Sequence, residues 1–225
     1  MKKTLIGATA LAMLGWGASA SAVASLTLDD GAGNTVTCAD GAACDANAAV
    51  GAVTYVGGLG PNWSVNVSTG LSYPVLGTPA KPHMDLNSVN VSSAGAGTLT
   101  IRFTQFSFDP INGITTASLQ VGGTLGSIGV GSYSTYYDAA NAGAMANLIG
   151  TLGPFGPGGA FSGSGNFAMG PIGTAFSMTQ VATIAHRGAN SSSWDFETKV
   201  PEPGTLALLG LGLLGLGAST RRRKV

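Results

Sequence analysis

Residues 97–109 read GTLTIRFTQFSFD. Leu99, Ile101 and Phe103 alternate with Thr98, Thr100 and Arg102, which is the two-residue period of a strand buried on one face. The apolar set then changes phase and continues at Phe106 and Phe108. One inserted residue near Thr104–Gln105 restores the face, so a β-bulge there is expected to keep all five apolar side chains on one side. A break between two strands would have the same effect. Shorter runs of this kind lie at 52–57, 63–70, 85–92, 116–123, 132–138, 175–186 and 193–200, separated by Gly, Pro, Asn and Asp. Many short strands punctuated by turn residues predict an all-β ectodomain, a sandwich or jelly roll. The body holds no long amphipathic helix. Its best helical stretch, 138–153, is alanine-rich but interrupted by Gly143, and is expected to be a surface excursion between sheets. The segment 153–167 follows as a glycine-rich loop.

The two ends of the chain differ from this body. Lys2 and Lys3 precede a mostly apolar stretch, 4–18, and then come Ala18-Ser19-Ala20, Ala20-Ser21-Ala22 and Ala22-Val23-Ala24. A basic start, a short apolar core and small residues at the cleavage site make a secretory signal peptide. It is assigned to 1–22, to be handled by the Sec machinery and removed by signal peptidase. Residues 204–220 are uncharged and rich in Leu, Gly and Ala. As a helix such a run covers about 25 Å against a hydrocarbon core of about 30 Å, a short single transmembrane helix. Arg221, Arg222, Arg223 and Lys224 then form a membrane stop on the cytoplasmic side, which leaves the body outside. The literal G-x-G-x-x-G at 210–215 lies inside this run rather than between a strand and a helix, so it carries no nucleotide-binding meaning.

Pro201-Glu202-Pro203, an apolar run and a terminal basic cluster occur in that order within the last 26 residues. Together they resemble the PEP-CTERM sorting signal of Gram-negative bacteria. The resemblance implies export, a transient hold in the inner membrane by the tail, processing by an exosortase-type membrane enzyme, and delivery to the cell surface or an exopolysaccharide matrix. It makes Pro201, Glu202 and Pro203 the recognition element. The expected organisation is a signal peptide over 1–22, a β-rich extracytoplasmic domain over 23–199 and a sorting signal over 200–225. Tails of this kind are sometimes catalogued as the C-terminal domain of ice-binding proteins. Ice binding needs a flat repeated array, whereas Thr98, Thr100, Thr115 and Thr116 are isolated here. A looser resemblance to exported PEP-CTERM proteins runs through the body, in W-x-V-x-V-x-T-G at 63–70, M-D-L-N-S at 84–88, G-T-L-T-I-x-F at 97–103 and S-Y-x-x-Y-x-D-x-x-N at 132–141. It implies a β-rich surface domain and no reaction.

Between residues 23 and 199 four basic residues stand against nine acidic ones. That balance argues against nucleic acid as a partner and against anionic membrane surfaces for the body. Cys38 and Cys44 are the only cysteines, and in an exported chain they are expected to form a local disulfide; as metal ligands they would be half a zinc site. Asp40, Asp45 and Asn47 lie near Asp29 and Asp30 among glycines. Such oxygen donors suit Ca²⁺, although the spacing is not that of an EF-hand and the same residues form Asx-turns. No other cofactor is expected.

No G-x-S-x-G occurs, His83 and His186 are the only histidines, and Glu197 is the only glutamate in the body, so no catalytic constellation is evident. Trp63, Tyr133, Tyr136, Tyr137 and Trp194 could offer sugar-stacking faces. The strand pattern sends Trp63 and Tyr133 to the core and puts Tyr136 and Tyr137 on opposite faces of one strand. The sequence therefore points to a non-enzymatic structural or adhesive protein of the cell surface or matrix. A carbohydrate-binding module is the alternative. A secreted hydrolase is a third reading, and it requires two carboxylates, or a His with a Ser, in one cleft.

Overall fold

The computed structural model describes residues 23–201. The signal peptide assigned to 1–22, the motif residues Glu202 and Pro203, the apolar run and the basic stop at Arg221–Lys224 lie outside the described residues. Twelve strands form two six-stranded antiparallel sheets packed face to face. The first sheet contains β1 (Ser25–Asp29), β2 (Thr35–Ala39), β6 (Ala96–Phe108), β8 (Gly129–Asp138), β9 (Asn147–Phe155) and β11 (Phe176–Arg187), in the order β2-β1-β6-β11-β8-β9. The second contains β3 (Ala52–Leu59), β4 (Trp63–Leu71), β5 (His83–Ser93), β7 (Thr115–Leu125), β10 (Gly159–Met169) and β12 (Asn190–Lys199), in the order β10-β7-β12-β5-β4-β3. The all-β sandwich expected from the alternation is the observed architecture. Among the described residues no helix is long and apolar enough to cross a membrane.

The inward positions fill the space between the sheets. Tyr133 sits at the centre of a ring cluster, stacked on Phe161 at 5.6 Å and flanked by Trp194 and Phe196 at 5.9 and 5.7 Å. Rings this deeply buried contribute on the order of 1.5–3 kcal/mol each. Polar ties also cross the core. Gln180 on β11 donates to the carbonyls of Met84 and Phe196 at 3.3 and 2.9 Å, and the Thr135 and Thr198 hydroxyls bond each other at 2.8 Å. These ties hold β5 and β12 from behind.

Three local readings are corrected. The segment 138–153 is not a helical excursion. The Asp138 carboxylate accepts the N–H groups of Ala140, Ala142 and Ala144, which closes a turn after β8 and delivers the chain into β9. The glycine-rich segment 153–167 continues β9 and forms most of β10, because its glycines leave sockets for neighbouring phenyl rings. The bulge of β6 lies further on than expected. Gln105 stays in register with Met178, and the extra residue falls between Gln105 and Phe108, where Ser107 has φ +62°. Consequently Leu99, Ile101, Phe103 and Phe108 face the core, while Phe106 turns to the other face, within reach of the 139–146 loop at Gly143.

Every neighbour pair joins an odd-numbered strand to an even-numbered one. All odd strands therefore start at one end of the sandwich and all even strands finish there. Ala24, before β1, and Val200, after β12, lie at this same end.

Candidate functional site

The second sheet has one inward and one outward face, and its outward face carries the polar residues. On β5, buried Met84 and Leu86 alternate with Asp85 and Asn87; on β12, buried Trp194, Phe196 and Thr198 alternate with Asp195 and Glu197. Because β12 lies between β5 and β7, Glu197 stands opposite Asp85 on one side and Gln120 on the other, and Asp195 stands opposite Gly122. With Ser162 and Ser164 of β10, these residues line an open groove of about 830 Å³. A smaller hollow of about 330 Å³ on the same sheet is lined by Ser64, Asn66, Asn90, Ser92, Thr124 and Ser193, among others.

A bulge shapes the groove. Trp194 pairs with Val89 and Phe196 with Leu86, so Asn87 and Ser88 together oppose Asp195. Ser88 takes φ +51° and its N–H donates to the Asp195 carboxylate, which aims that side chain along the groove. Gly122 leaves part of the floor bare: a Cβ there would meet nothing nearer than the Phe161 carbonyl at 3.8 Å.

The carboxylates differ in character. Burial pushes Glu197 up, but Lys199 Nζ and His83 Nε2, each 2.7 Å from its Oε1, outweigh burial and hold it below the usual carboxylate value. Burial pushes Asp85 up, Glu197 and Asp195 add to the effect, and the Asn87 amide and His83 only partly oppose it. The groove thus offers an ionised acceptor beside a carboxyl that holds its proton more readily, with amide and hydroxyl groups around them. This inventory suits ligands dense in hydroxyl groups, since carboxylates accept, amides do both and serines do both.

The structure disperses several residues singled out from the sequence. Trp63, Tyr133 and Trp194 are buried and offer no stacking face. Tyr136 and Tyr137 are both half-buried on the other sheet, and Tyr137 packs edge-on against Phe176. The calcium candidates are turn formers. Asp45 accepts the N–H groups of Gly41, Asn47 and Thr54, Asp40 accepts that of Gly51, and the Asn47 side chain accepts that of Ala49. Among the described residues no group of three His, Cys, Asp or Glu could hold a metal ion. Cys38 and Cys44 are joined in a disulfide, with Cα atoms 5.8 Å apart. His186 is buried between Ser93 and Ser192, at 2.8 and 2.9 Å, beside the Trp63 ring. Among the described residues no carboxylate is bonded to this imidazole, and it joins β11 of one sheet to β5 and β12 of the other. His83 belongs instead to the groove, through Glu197. Sequence reasoning did not single out Asp85, Asn87, Gln120 and Asp195 as a group. Their outward phase was readable, but not the neighbours of their strands.

At the exit of β12 the chain is still held. Val200 is buried and its N–H donates to the Pro82 carbonyl at 2.8 Å, while Thr115 Oγ1 donates to the Pro201 carbonyl at 2.9 Å. Residues 199–223 match the family model of the PEP-CTERM protein-sorting motif. The chain carries a PEP-CTERM sorting signal. The signal implies export, transient membrane anchoring and processing by exosortase, a membrane enzyme. No curated protein matches the sequence.

Among solved structures, the adhesin domain of Lys-gingipain from Porphyromonas gingivalis W83 is similar at 15% identity, over 68% of this chain and 99% of that one, with a TM-score of 0.33. TmCBM61, solved with β-1,4-galactotriose, matches at 11% identity over 65% and 92%, with a TM-score of 0.27. The C-terminal CBM6 domain of LamC from Zobellia galactanivorans matches at 15% identity over 49% and 79%, with a TM-score of 0.25. At these scores the similarities carry no argument about function.

Proposed function

We propose that this PEP-CTERM protein is a non-enzymatic component of the cell surface or exopolysaccharide matrix, and that it holds hydroxyl-rich polymer in the groove of its second sheet. The observation that carries the reading is the groove itself. It is open and polar, it is built on four adjacent strands, and its floor is left clear at Gly122. An open trough suits a chain that passes through, and its rigid strands hold the polar groups in place before binding.

The test is a glycan array that includes the producer's own exopolysaccharide, followed by affinity measurement on the best ligand. Gly122→Leu puts a side chain on the groove floor, where a Cβ meets nothing nearer than 3.8 Å, and is expected to weaken binding by at least about tenfold, roughly 1.4 kcal/mol. Binding that Gly122→Leu leaves intact, or no glycan bound at all, would remove the groove from consideration.

One observation favours a second reading, glycoside hydrolysis. Asp85 and Glu197 face each other across adjacent strands with their proton affinities pushed apart, as an acid and a carboxylate partner require. Release of reducing ends that disappears in Asp85→Asn would establish it. The absence of any release from polysaccharides that bind would exclude it.

A further inference from the structure

The two ends of the sandwich are unlike. One end carries the turns at 30–34, 60–62, 94–95, 126–128, 156–158 and 188–189, whose exposed residues are small or polar. The other carries the longer connections 40–51, 72–82, 109–114, 139–146 and 170–175, together with the points where the chain enters β1 and leaves β12. Seven large hydrophobic side chains are exposed among the described residues, and six of them, Val23, Val50, Val75, Ile114, Met145 and Leu148, lie at this second end. Ile114, immediately before β7, is 77% exposed. Leu148 stands at the start of β9.

We infer that this end of the sandwich docks on a lipid bilayer while the sorting tail holds the protein there, with Val75, Ile114, Met145 and Leu148 seated in the headgroup layer. The exit of the chain supplies the second argument. Val200 and Pro201 are tied to the body by Pro82 and Thr115, and the apolar run of the tail starts at residue 204. Three residues span at most about 11 Å, so the tied exit of the body lies within that distance of the start of the apolar run. The headgroup layer on each side of a bilayer is about 5–8 Å thick. A body on so short a tether rests on the surface, and the end that rests there is the one with the exposed apolar tips.

Charge identifies the kind of contact. The connections at this end carry Asp40, Asp45 and Asp109 against Lys81, and Lys199, which ends β12 here, is paired with Glu197. Anionic headgroups do not attract such a surface, so the contact is apolar and little affected by salt. A few isolated tips bind a bilayer weakly on their own, and the tail supplies the effective concentration that keeps them in place. Once the tail is cut, the same end releases. The inference does not depend on the groove.

The full chain is reconstituted in vesicles of three parts phosphatidylethanolamine to one part phosphatidylglycerol, with headgroup-level nitroxide lipid as quencher. A fluorophore is attached through Asn112→Cys or, at the opposite end, Ser127→Cys. Both positions are exposed, and the native cysteines are tied in their disulfide. The expected result is strong quenching at position 112 and little at 127, unchanged between about 50 and 500 mM salt. In a Val75→Ser/Ile114→Ser/Leu148→Ser background, quenching at 112 is expected to fall to the level seen at 127. These three side chains are exposed, and a retained disulfide and an unchanged β-sheet circular dichroism spectrum check the fold. Equal quenching at both positions overturns the inference. So does quenching at 112 that the triple substitution leaves untouched, since the tether alone would then account for it. Protection at 112 found only in native host membranes, and not in pure lipid, assigns the surface to a membrane protein and overturns the lipid contact.

Discussion

His186 is the imidazole that the sandwich buries, and its protons can be accounted for atom by atom. Ser93 Oγ donates to the Gly188 carbonyl at 3.2 Å, so it accepts Nδ1–H at 2.8 Å; Ser192 Oγ accepts the Gly126 N–H at 3.3 Å and donates to Nε2 at 2.9 Å. The neutral ring is fully satisfied. A second ring proton would meet the Ser192 hydroxyl hydrogen, and burial already holds the pKa below the usual imidazole value. The unfolded chain, with a pKa of about 6.5, then binds more protons than the folded one at mildly acidic pH. This contribution to stability is complete above about pH 6.5 and is lost as pH falls from there through the depressed folded value. Urea midpoints are expected to drop between about pH 7 and pH 5, and His186→Gln should flatten that slope while lowering stability by about 1–3 kcal/mol at neutral pH. An unchanged slope in the variant would place the acid sensitivity between about pH 7 and pH 5 outside this imidazole; the depressed Glu197 carboxyl gives up its contribution only below about pH 4.5. The disulfide gives a second residue-scale expectation. Reduction adds two daltons to the mature mass and, for so small a loop, costs roughly 2 kcal/mol. Intact-mass analysis and paired denaturation curves check both values.

At the scale of elements, β9 and β10 show how far alternation can be read. Eight strands were legible because apolar and polar residues alternate along them. In β10 the alternation is between glycine and larger residues, which reads as loop because glycine weakens an isolated strand. The missing side chains have a structural use. The Phe167 ring lies where a Cβ on Gly150 or Gly165 would stand, and Phe155 lies where a Cβ on Gly163 would stand. Gly150→Ala places a methyl group 2.4–2.5 Å from the Phe167 ring and is expected to cost about 1–3 kcal/mol. Gly122→Ala, with nothing closer than 3.8 Å, should stay within about 0.5 kcal/mol. Chemical denaturation of the two variants side by side checks the contrast. The strands β1 and β2 were missed for a different reason: at five residues each they are too short for a period to stand out. The β6 bulge was misplaced because Thr104 and Gln105 are polar yet buried, Thr104 in a hydroxyl pair with Thr179 at 2.9 Å, so the pattern loses phase before the backbone does. The groove was half legible. The outward phase of Asp85 and Glu197 follows from their neighbours in the chain, but the insertion of β12 between β5 and β7 is a property of topology.

At the scale of the whole molecule, the sorting signal begins where the fold ends, and this constrains processing. β12 is an interior strand, paired through Lys199 with His83 on one side and Ser118 on the other. Val200 is 3% exposed and its N–H is bonded to Pro82. A membrane enzyme that cuts a peptide bond needs several extended residues free of other pairing. Freeing Val200 alone gives up on the order of 1.5–3 kcal/mol of apolar burial, and reaching further upstream breaks ladder bonds on both flanks. The bonds beyond Pro201 carry no such cost from the described part of the fold. Every released form is therefore expected to retain Val200, with its terminus at or after Pro201. Intact-mass and terminal-peptide mass spectrometry on membrane and extracellular fractions of the native host reads this directly, because trypsin cuts after Lys199 and the terminal peptide starts at Val200. A released chain that ends before Lys199 would mean that processing unzips β12, and the body would then have to tolerate loss of a central strand edge. A chain that ends in Val225 and occurs only in membranes would instead make the tail a lasting anchor, and the apolar end of the sandwich a permanent contact with the bilayer.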